Sequence, residues 1–251
     1  IYTLSLHDAL PISSLIYSAS TPRGASAGCR AFEGHDMTRR STRAPRRRGG
    51  RARRTGSIPL KPRVVFCVEG ASEEAYLRAI LNYRYDDAFA FVFWRSRGSK
   101  SSLRNLIEHV RRRLRDGEDP GDGVWIVCDT DQNSIHSALL EKWLDDDEEL
   151  HHAALTDPCL EFWLILHYAQ APVSAGARQA EKELRGHMPG YRKGRPLPAD
   201  LISRVDDAVR RERRRTGGAD RAGAWPRERS SQMPALIIWL DRLRASSRLV
   251  R

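Results

Sequence analysis

Val64-Val65-Phe66-Cys67-Val68-Glu69-Gly70 and Val124-Trp125-Ile126-Val127-Cys128-Asp129-Thr130-Asp131 decide the fold. Each begins with an apolar run of strand length, rich in β-branched and aromatic side chains, and ends abruptly in acid. Because consecutive rather than alternate positions are apolar, both runs predict strands buried on two faces, as in a parallel sheet covered by helices. Carboxylates at the carboxyl ends of such strands face the crevice where open α/β sheets bind ligands. Glu69, Asp129 and Asp131 would repel one another there unless a cation lay between them, and a cluster of oxygen ligands suits Mg2+ or Mn2+. Asp129 and Asp131, two residues apart in an extended segment, project to the same face, which allows joint metal binding.

Outward from these runs, strand and helix alternate. Strands are expected at residues 63–68, 89–94, 124–128 and 151–155. Helices are expected at 73–83, 102–115 and 135–144. In the first helix Ala75, Tyr76, Ala79 and Ile80 recur at helical spacing. Ser72 is placed to cap it, and Glu73 and Glu74 suit the positive end of its dipole. The second helix carries the stripe Leu103, Leu106, Ile107, Val110 and Leu114, and the Gly-, Asp- and Pro-rich stretch 116–123 stops it. The fold class is therefore α/β, with a mostly parallel sheet of about four strands. From residue 157 onward the pattern is helix alone. Asp157-Pro158 reads as a cap followed by a first-turn proline. Leu160, Phe162, Trp163, Leu164, Ile165 and Leu166 make the helix after it apolar nearly all round, and such a helix is buried. Further helices are expected at 177–186, 199–215 and 233–246, with 217–229 a flexible connection. Residues 61–251 then form one domain, an α/β core over 61–156 followed by a helical part over 157–251, and a chain of this length supports a sizeable core.

The ends differ in character. Residues 1–12, IYTLSLHDALPI, resemble the translation of a sequencing adapter. Residues 13–36 are rich in Ser, Ala and Gly, and Met37 opens a new composition, so 1–36 read as a non-native leader and Met37 as the natural start. A secretory signal is disfavoured, because no basic segment precedes the mildly apolar residues 9–16 and Asp8 sits beside them. The net charge of +11 is unevenly spread: residues 37–56 hold nine arginines and no acid, residues 1–36 carry a net −1, and +3 remains for 57–251. An arginine-rich tail at 37–60 with so few large apolar residues does not bury enough surface to offset its ordering entropy, and is expected to be disordered in isolation. It serves either as a non-specific phosphate-binding arm or as a solubilising terminus. No run of 18 apolar residues exists, so a membrane span is not expected. Cys67 and Cys128 fall in buried strands, Cys159 opens an apolar helix and Cys29 lies in the leader; none shows metal-ligand or disulfide spacing, and reduced cysteines in the cytoplasm are the expectation.

A strand ending in Glu-Gly with a further Glu nearby, a strand ending in Asp-x-Asp, and then Asp157-Pro158-Cys159-Leu160-Glu161-Phe162-Trp163-Leu164-Ile165-Leu166-His167-Tyr168 form a longer pattern. With the arginine-rich start and Tyr191-Arg192-Lys193-Gly194, the chain resembles the RloB-like family of prokaryotic TOPRIM proteins over roughly residues 37–243. The resemblance implies a TOPRIM-like Rossmannoid fold and a Mg2+- or Mn2+-dependent nuclease acting on RNA or DNA in anti-phage defence, including abortive infection. It also implies a nucleic-acid partner and an ATPase or other defence-system protein as a further one. Many relatives carry additional acids after Asp-x-Asp, whereas Gln132-Asn133 follow here, which leaves metal stoichiometry open. The alternative is a non-catalytic nucleic-acid-binding or regulatory module of a defence complex. A primase-like or nucleotidyltransferase activity is disfavoured by the lack of a recognisable nucleotide-binding loop.

On this resemblance Glu69, Asp129 and Asp131 are the catalytic and metal-ligating acids, with Glu69 as general acid or base. Gly70 lets the backbone turn tightly beside a phosphate. Glu73 is either a further metal ligand or a dipole partner. Glu161, an acid in an apolar helix, pairs with Arg192 or Lys193 or faces the metal crevice as a further catalytic group. Lys100, in Ser99-Lys100-Ser101-Ser102 before a helix, joins Gly70, Arg192 and Lys193 as a candidate phosphate contact. His167 is read as a cation at a helix end rather than a catalytic base. His151-His152 are read as strand residues rather than zinc ligands.

The arm generates a direct expectation. Deleting residues 39–54 weakens binding to all nucleic acid sequences alike and flattens the dependence of affinity on salt by about 0.7–0.9 log units per lost phosphate contact. Binding measured across a salt series checks this, and an unchanged affinity and slope makes the arm a solubility device.

Overall fold

β1 (Arg63–Val68) occupies an interior position in the sheet, and every residue after Arg63 is buried. The computed structural model describes residues 61–95, 102–130, 136–170, 172, 176–218 and 225–249, all within one unit, Gly56–Arg251. β2 (Ala90–Arg95) pairs with one side of β1 and β3 (Gly123–Asp129) with the other; β4 (His151–Thr156) pairs with the far side of β3. All three pairings are parallel and the order is β2-β1-β3-β4. The chain thus moves from β1 to β2 in one direction and then crosses β1 to place β3 on its other side. The direction of winding reverses between β1 and β3, and at such a reversal the loops after the strands part and leave a crevice.

Each face of the sheet has its own core. Val65, Cys67, Ile126, Cys128, Ala153 and Leu155 meet α2 (Leu103–Arg115) and α3 (Ser137–Asp145) through Leu106, Ile107, Val110, Leu140 and Trp143. On the opposite face, Val64, Phe66, Val68, Trp125, Val127 and Ala154 pack with α1 (Ala71–Tyr85) through Tyr76, Leu77 and Ile80. The helical second half joins this second core, as α4 (Leu160–Ile165), α5 (Ala177–His187), α6 (Ala199–Ser203), α7 (Val205–Thr216) and α8 (Met233–Leu249). Every residue of α4 is buried, as its all-round apolar character predicts.

The strands lie within about a residue or two of their expected limits, and the instructive differences are at helix ends. Gly70, not Ser72, is the N-cap of α1; Ser72 lies inside the first turn, where its Oγ accepts the Gly194 N–H at 3.0 Å. The helix expected from Asp157 begins at Leu160, with Cys159 as N-cap and a cis Asp157-Pro158 peptide before it. Asp157 is drawn elsewhere: Oδ1 accepts from the Thr130 hydroxyl and Oδ2 from the Arg229 N–H at 2.6 Å. The single helix expected at 199–215 breaks at Arg204, whose backbone leaves the helical region, giving α6 and α7.

The connection read as flexible is anchored from residue 225 on, while 219–224 lie outside the described residues. Ser230, Ser231 and Gln232 are buried. Thr156 and Ser231 form an antiparallel bridge, the Asp157 N–H donates to Ser230 O at 2.8 Å, and the Gln232 side chain accepts the Leu155 N–H at 3.0 Å. These polar residues read as a loop because their partner, the outer edge of β4, is remote in sequence. They cover an edge that would otherwise expose unpaired backbone groups. Glu212 completes the tie. Its Oε1 accepts the Ser231 N–H at 2.7 Å, and burial raises its carboxyl above the ordinary range despite that bond and the nearby Arg215.

Asp157 joins the ends of β3 and β4 to this segment, so its removal leaves the Arg229 N–H and the Thr130 hydroxyl without their acceptor. Asp157→Ala is expected to lower stability by roughly 2–4 kcal/mol, the cost of two unsatisfied polar groups in a largely buried setting. Urea unfolding of the full chain measures it, and a loss well under 1 kcal/mol sinks the reading.

Candidate active site at the carboxyl edge of the sheet

The parallel register that aligns Val68 with Val127 carries Glu69 and Asp129 together at the strand-order reversal. The Glu69 N–H donates to Val127 O at 3.0 Å, continuing the ladder one rung beyond β1. The Asp129 N–H then donates to the Glu69 carboxylate, Oε2, at 2.9 Å. Glu69 therefore ties the two strand ends together as well as placing an acid between them. The next residue, Thr130, is buried, with its N–H on Thr156 O and its hydroxyl on Asp157. Asp131, Gln132 and Asn133 lie outside the described residues, as does Lys100.

The first turn of α1 adds a second acid. Glu73 is buried, and a Cβ at Gly70 would lie 3.0 Å from Glu73 Oε2. That close approach is what the glycine permits, because the backbone of Gly70 is extended, a conformation open to any residue. The chain does turn from β1 into α1 across Glu69-Gly70, but without a conformation reserved for glycine. Burial raises the Glu73 carboxyl above the ordinary range, the charge of Glu161 adds to the rise, and backbone hydrogen bonds and Lys193 only partly offset it. Glu74, the neighbouring dipole partner, is instead held low by the Arg95 guanidinium, which outweighs its burial.

Glu161 enters from α4. Of the alternatives open to it, the structure places it against Lys193, whose Nζ lies 3.1 Å from Oε1, with the Tyr191 hydroxyl donating to the same oxygen at 2.7 Å. Burial by itself would raise this carboxyl, but the Tyr191 hydrogen bond and the Lys193 charge together hold it below the ordinary range. Lys193 responds in the matching direction: burial opposes its charged form, and Glu161 more than compensates, so its ammonium is held above the usual lysine value. The loop bearing Tyr191 and Lys193 is docked on α1 by the Gly194 N–H to Ser72. Gly194 has a φ of +70° and a Cβ there would meet the Ala71 Cβ at 3.0 Å, so both conformation and space call for glycine.

These acids share one electrostatic neighbourhood. The buried Cys128 thiol is pushed up first by burial and then by Glu69, Asp129 and Glu73; the Cys159 thiol is pushed up by burial, then by Glu161 and Asp129. Cys67 is likewise raised by burial, to about 12. All three cysteines are free and are held as thiols at neutral pH, which makes them poor nucleophiles and poor metal ligands. Among the described residues, no three His, Cys, Asp or Glu side chains form a group able to hold a metal ion.

Other candidates lie apart from this cluster. His167 is fully buried, within 3.3 Å of the Tyr76 hydroxyl through Nε2, and burial lowers it to about 4. It is a neutral core residue, and the cationic helix-end role expected of it is corrected. His151 and His152 belong to β4; His151 stacks on Trp143 with centroids 3.6 Å apart, and burial lowers His152 to about 4. Arg192 is exposed and lines a separate cavity. The partnerships of Tyr191, Ser72, Thr130 and Asp157 were not foreseen in these roles. Only Tyr191 carried a signal, its place beside Lys193 in a segment already singled out.

Acids at the ends of adjacent parallel strands, with a lysine brought in from a later loop, mark this edge of an α/β sheet as the candidate site. A family model described as RloB-like protein matches residues 64–240, and the chain belongs to that family. No curated protein and no solved structure matches it. Among the described residues, no helix is long and apolar enough to cross a membrane.

The two buried glutamates respond oppositely to pH. Glu161 has a lowered folded pKa, so its contribution to stability is present above the unfolded value of about 4.3 and is lost as pH falls through the folded value. Glu73 has a raised one, so its stabilising contribution is present below about 4.3 and is lost as pH rises through the folded value. At pH 7, Glu161→Gln is expected to destabilise by about 1–3 kcal/mol, whereas Glu73→Gln stabilises. Both differences shrink toward about pH 3, where Gln and protonated Glu carry the same charge. Urea unfolding of the three proteins at both pH values checks this, and equal signs at pH 7 contradict it.

Proposed function

We propose that this chain is a metal-dependent nuclease of the TOPRIM type, hydrolysing phosphodiester bonds in RNA or DNA. The observation that carries the reading is the meeting of Glu69 and Asp129 at the reversal of strand order; Lys193 is held by Glu161, which shares their electrostatic neighbourhood. The donors are carboxylate oxygens, the set that suits a hard divalent cation, while the thiols nearby are held protonated. Mg2+ or Mn2+ would be held by Asp129 and Asp131, with Glu69 and Glu73 as further oxygen ligands. Bound there, it would polarise the scissile phosphate and acidify a water molecule.

The side chains have separable parts in this scheme. Glu69 is the general acid or base, fixed by the Asp129 N–H at one oxygen. Glu73, whose carboxyl is raised above the ordinary range by burial, is pushed toward its protonated form. An ammonium has three donors; Glu161 engages Lys193 from one side, and with 52% of that side chain exposed the remaining donors are open to a phosphate oxygen. Glu161 is then a positioning residue, holding Lys193 in place. Anti-phage defence, and an ATPase or other defence-system protein as partner, belong to the same proposal and rest on the family resemblance.

One observation favours the second reading, a non-catalytic nucleic-acid-binding or regulatory module. Glu69 already serves as a structural acceptor for the Asp129 N–H.

Purified protein incubated with labelled RNA and DNA, with Mg2+, Mn2+ or chelator, tests both readings. Cleavage requires a divalent ion, and Asp129→Asn lowers it by roughly a hundredfold or more with an unchanged melting temperature. Glu69→Gln keeps an acceptor for the Asp129 N–H, so it abolishes cleavage with a smaller effect on binding. Pairing the two substitutions costs little more than the worse single one, because groups acting as a unit are not additive. Wild-type cutting by Asp129→Asn would falsify the site; binding without cutting under every ion and partner tried installs the second reading.

A further inference from the structure

Lined in part by Tyr191, whose hydroxyl meets Glu161, is a cavity of about 360 Å3. Its size falls within the range of small-molecule sites, about 300–1,000 Å3. Tyr191 belongs to both places: its hydroxyl donates to Glu161 and the residue also lines the cavity. Met188, Pro196 and Leu197 give the cavity an apolar lining, and Arg192 and Arg195 are its charged residues, with no acid in the lining. Among the described residues neither guanidinium forms an ion pair, although eleven pairs engage other cations of this arginine-rich chain. Both arginines are exposed, while Met188 and Tyr191 are buried.

We propose that this cavity is a subsite for one unpaired nucleotide of a single-stranded nucleic acid, the base against Met188 and Leu197 and the flanking phosphates on Arg192 and Arg195. The inference rests on the nuclease reading and deepens it by naming the substrate as single-stranded. An apolar pocket flanked by two uncompensated guanidiniums matches a group with an apolar face and an anionic edge, and single-strand sites combine such features. A paired base has its faces covered by its neighbours and does not enter. The loop that carries Lys193 to Glu161 also supplies the lining of the cavity, so one segment of chain serves both places. Sequence selectivity is not expected, because the apolar lining offers few donors or acceptors to a base edge.

The test uses the full chain in chelator, so that cleavage plays no part. Eight-residue single-stranded RNA and DNA, the matching duplexes, and a strand lacking bases are titrated across a salt series. Arg192→Gln/Arg195→Gln is expected to weaken single-strand binding about tenfold or more and to lower the salt slope by about 1.4, at about 0.7 for each of two lost phosphate contacts. Duplex affinity changes much less. Leu197→Ser weakens the base-bearing strand several-fold and leaves the baseless one unchanged. Unchanged single-strand affinity and slope in the double variant, with an unchanged melting temperature, overturns the subsite. So does an equal loss for duplex and single strand, which would reduce the arginines to general phosphate contacts. A wild-type protein that shows this binding pattern yet never cuts under any ion overturns the nuclease reading alone. One that cuts while the double variant binds normally overturns the subsite alone.

Discussion

The pairing of β1 with β3 is the constraint on which the rest of the structure depends. β1 is interior, and its second neighbour comes not from the next strand in the chain but from the one after. That single crossing sends α1 to one face and α2 and α3 to the other, and it brings Glu69 and Asp129 to adjacent strand ends. A one-residue slip in this register would turn every side chain of one strand to the wrong core. It would also move Val127 O away from the Glu69 N–H and the Glu69 carboxylate away from the Asp129 N–H. The acids are thus held by the same hydrogen-bond ladder that specifies the sheet.

The helical second half has a less obvious task than filling a core. Its helices pack on the α1 face, while Trp225 reaches the α2 and α3 face. In doing so it delivers three things to the sheet's carboxyl edge: Glu161 from α4, the Tyr191–Gly194 loop, and the buried segment Ser230–Gln232 that covers β4. The first half alone would lack the lysine that meets Glu161 and would leave the outer edge of β4 open. The matched region 64–240 spans both halves, as this dependence requires.

Electrostatics divides the acids by their partners rather than by their depth. Glu73 and Glu161 are both buried, at 6% and 1% exposure, yet one is raised and the other lowered. The difference is the Tyr191 hydroxyl and the Lys193 ammonium, which lie on Glu161 and reach Glu73 only weakly. Neighbouring carboxyl groups whose environments push them in opposite directions in this way recur at sites where proton transfer matters.

Much of the fold was legible in the sequence because it rests on local patterns. The apolar runs, the helical stripes and the glycine- and proline-rich stops set the elements in place, and the acid at each strand end followed from the same reading. Glu69 and Asp129 could be placed at one edge because parallel strands align their carboxyl ends; Asp131, outside the described residues, stays an expectation. What the chain could not reveal was who partners whom across distance. Asp157 has the residue type of a helix cap and sits before a proline, but Thr130 and Arg229 take its two oxygens. Ser72 had the same appearance and instead receives Gly194. Glu161 had three open partners until the 191–194 loop settled on α1. Residues 217–229 read as a flexible connection, yet Arg229 and the three residues after it meet the β4 edge some seventy residues earlier, at Leu155–Asp157. Backbone periodicity is encoded by neighbours along the chain, whereas a buried polar group must find its partner wherever packing brings one within reach. The sequence by itself determined the sheet, its helices and the acids at its edge; the tertiary structure alone decided which cation, hydroxyl and backbone groups those acids meet.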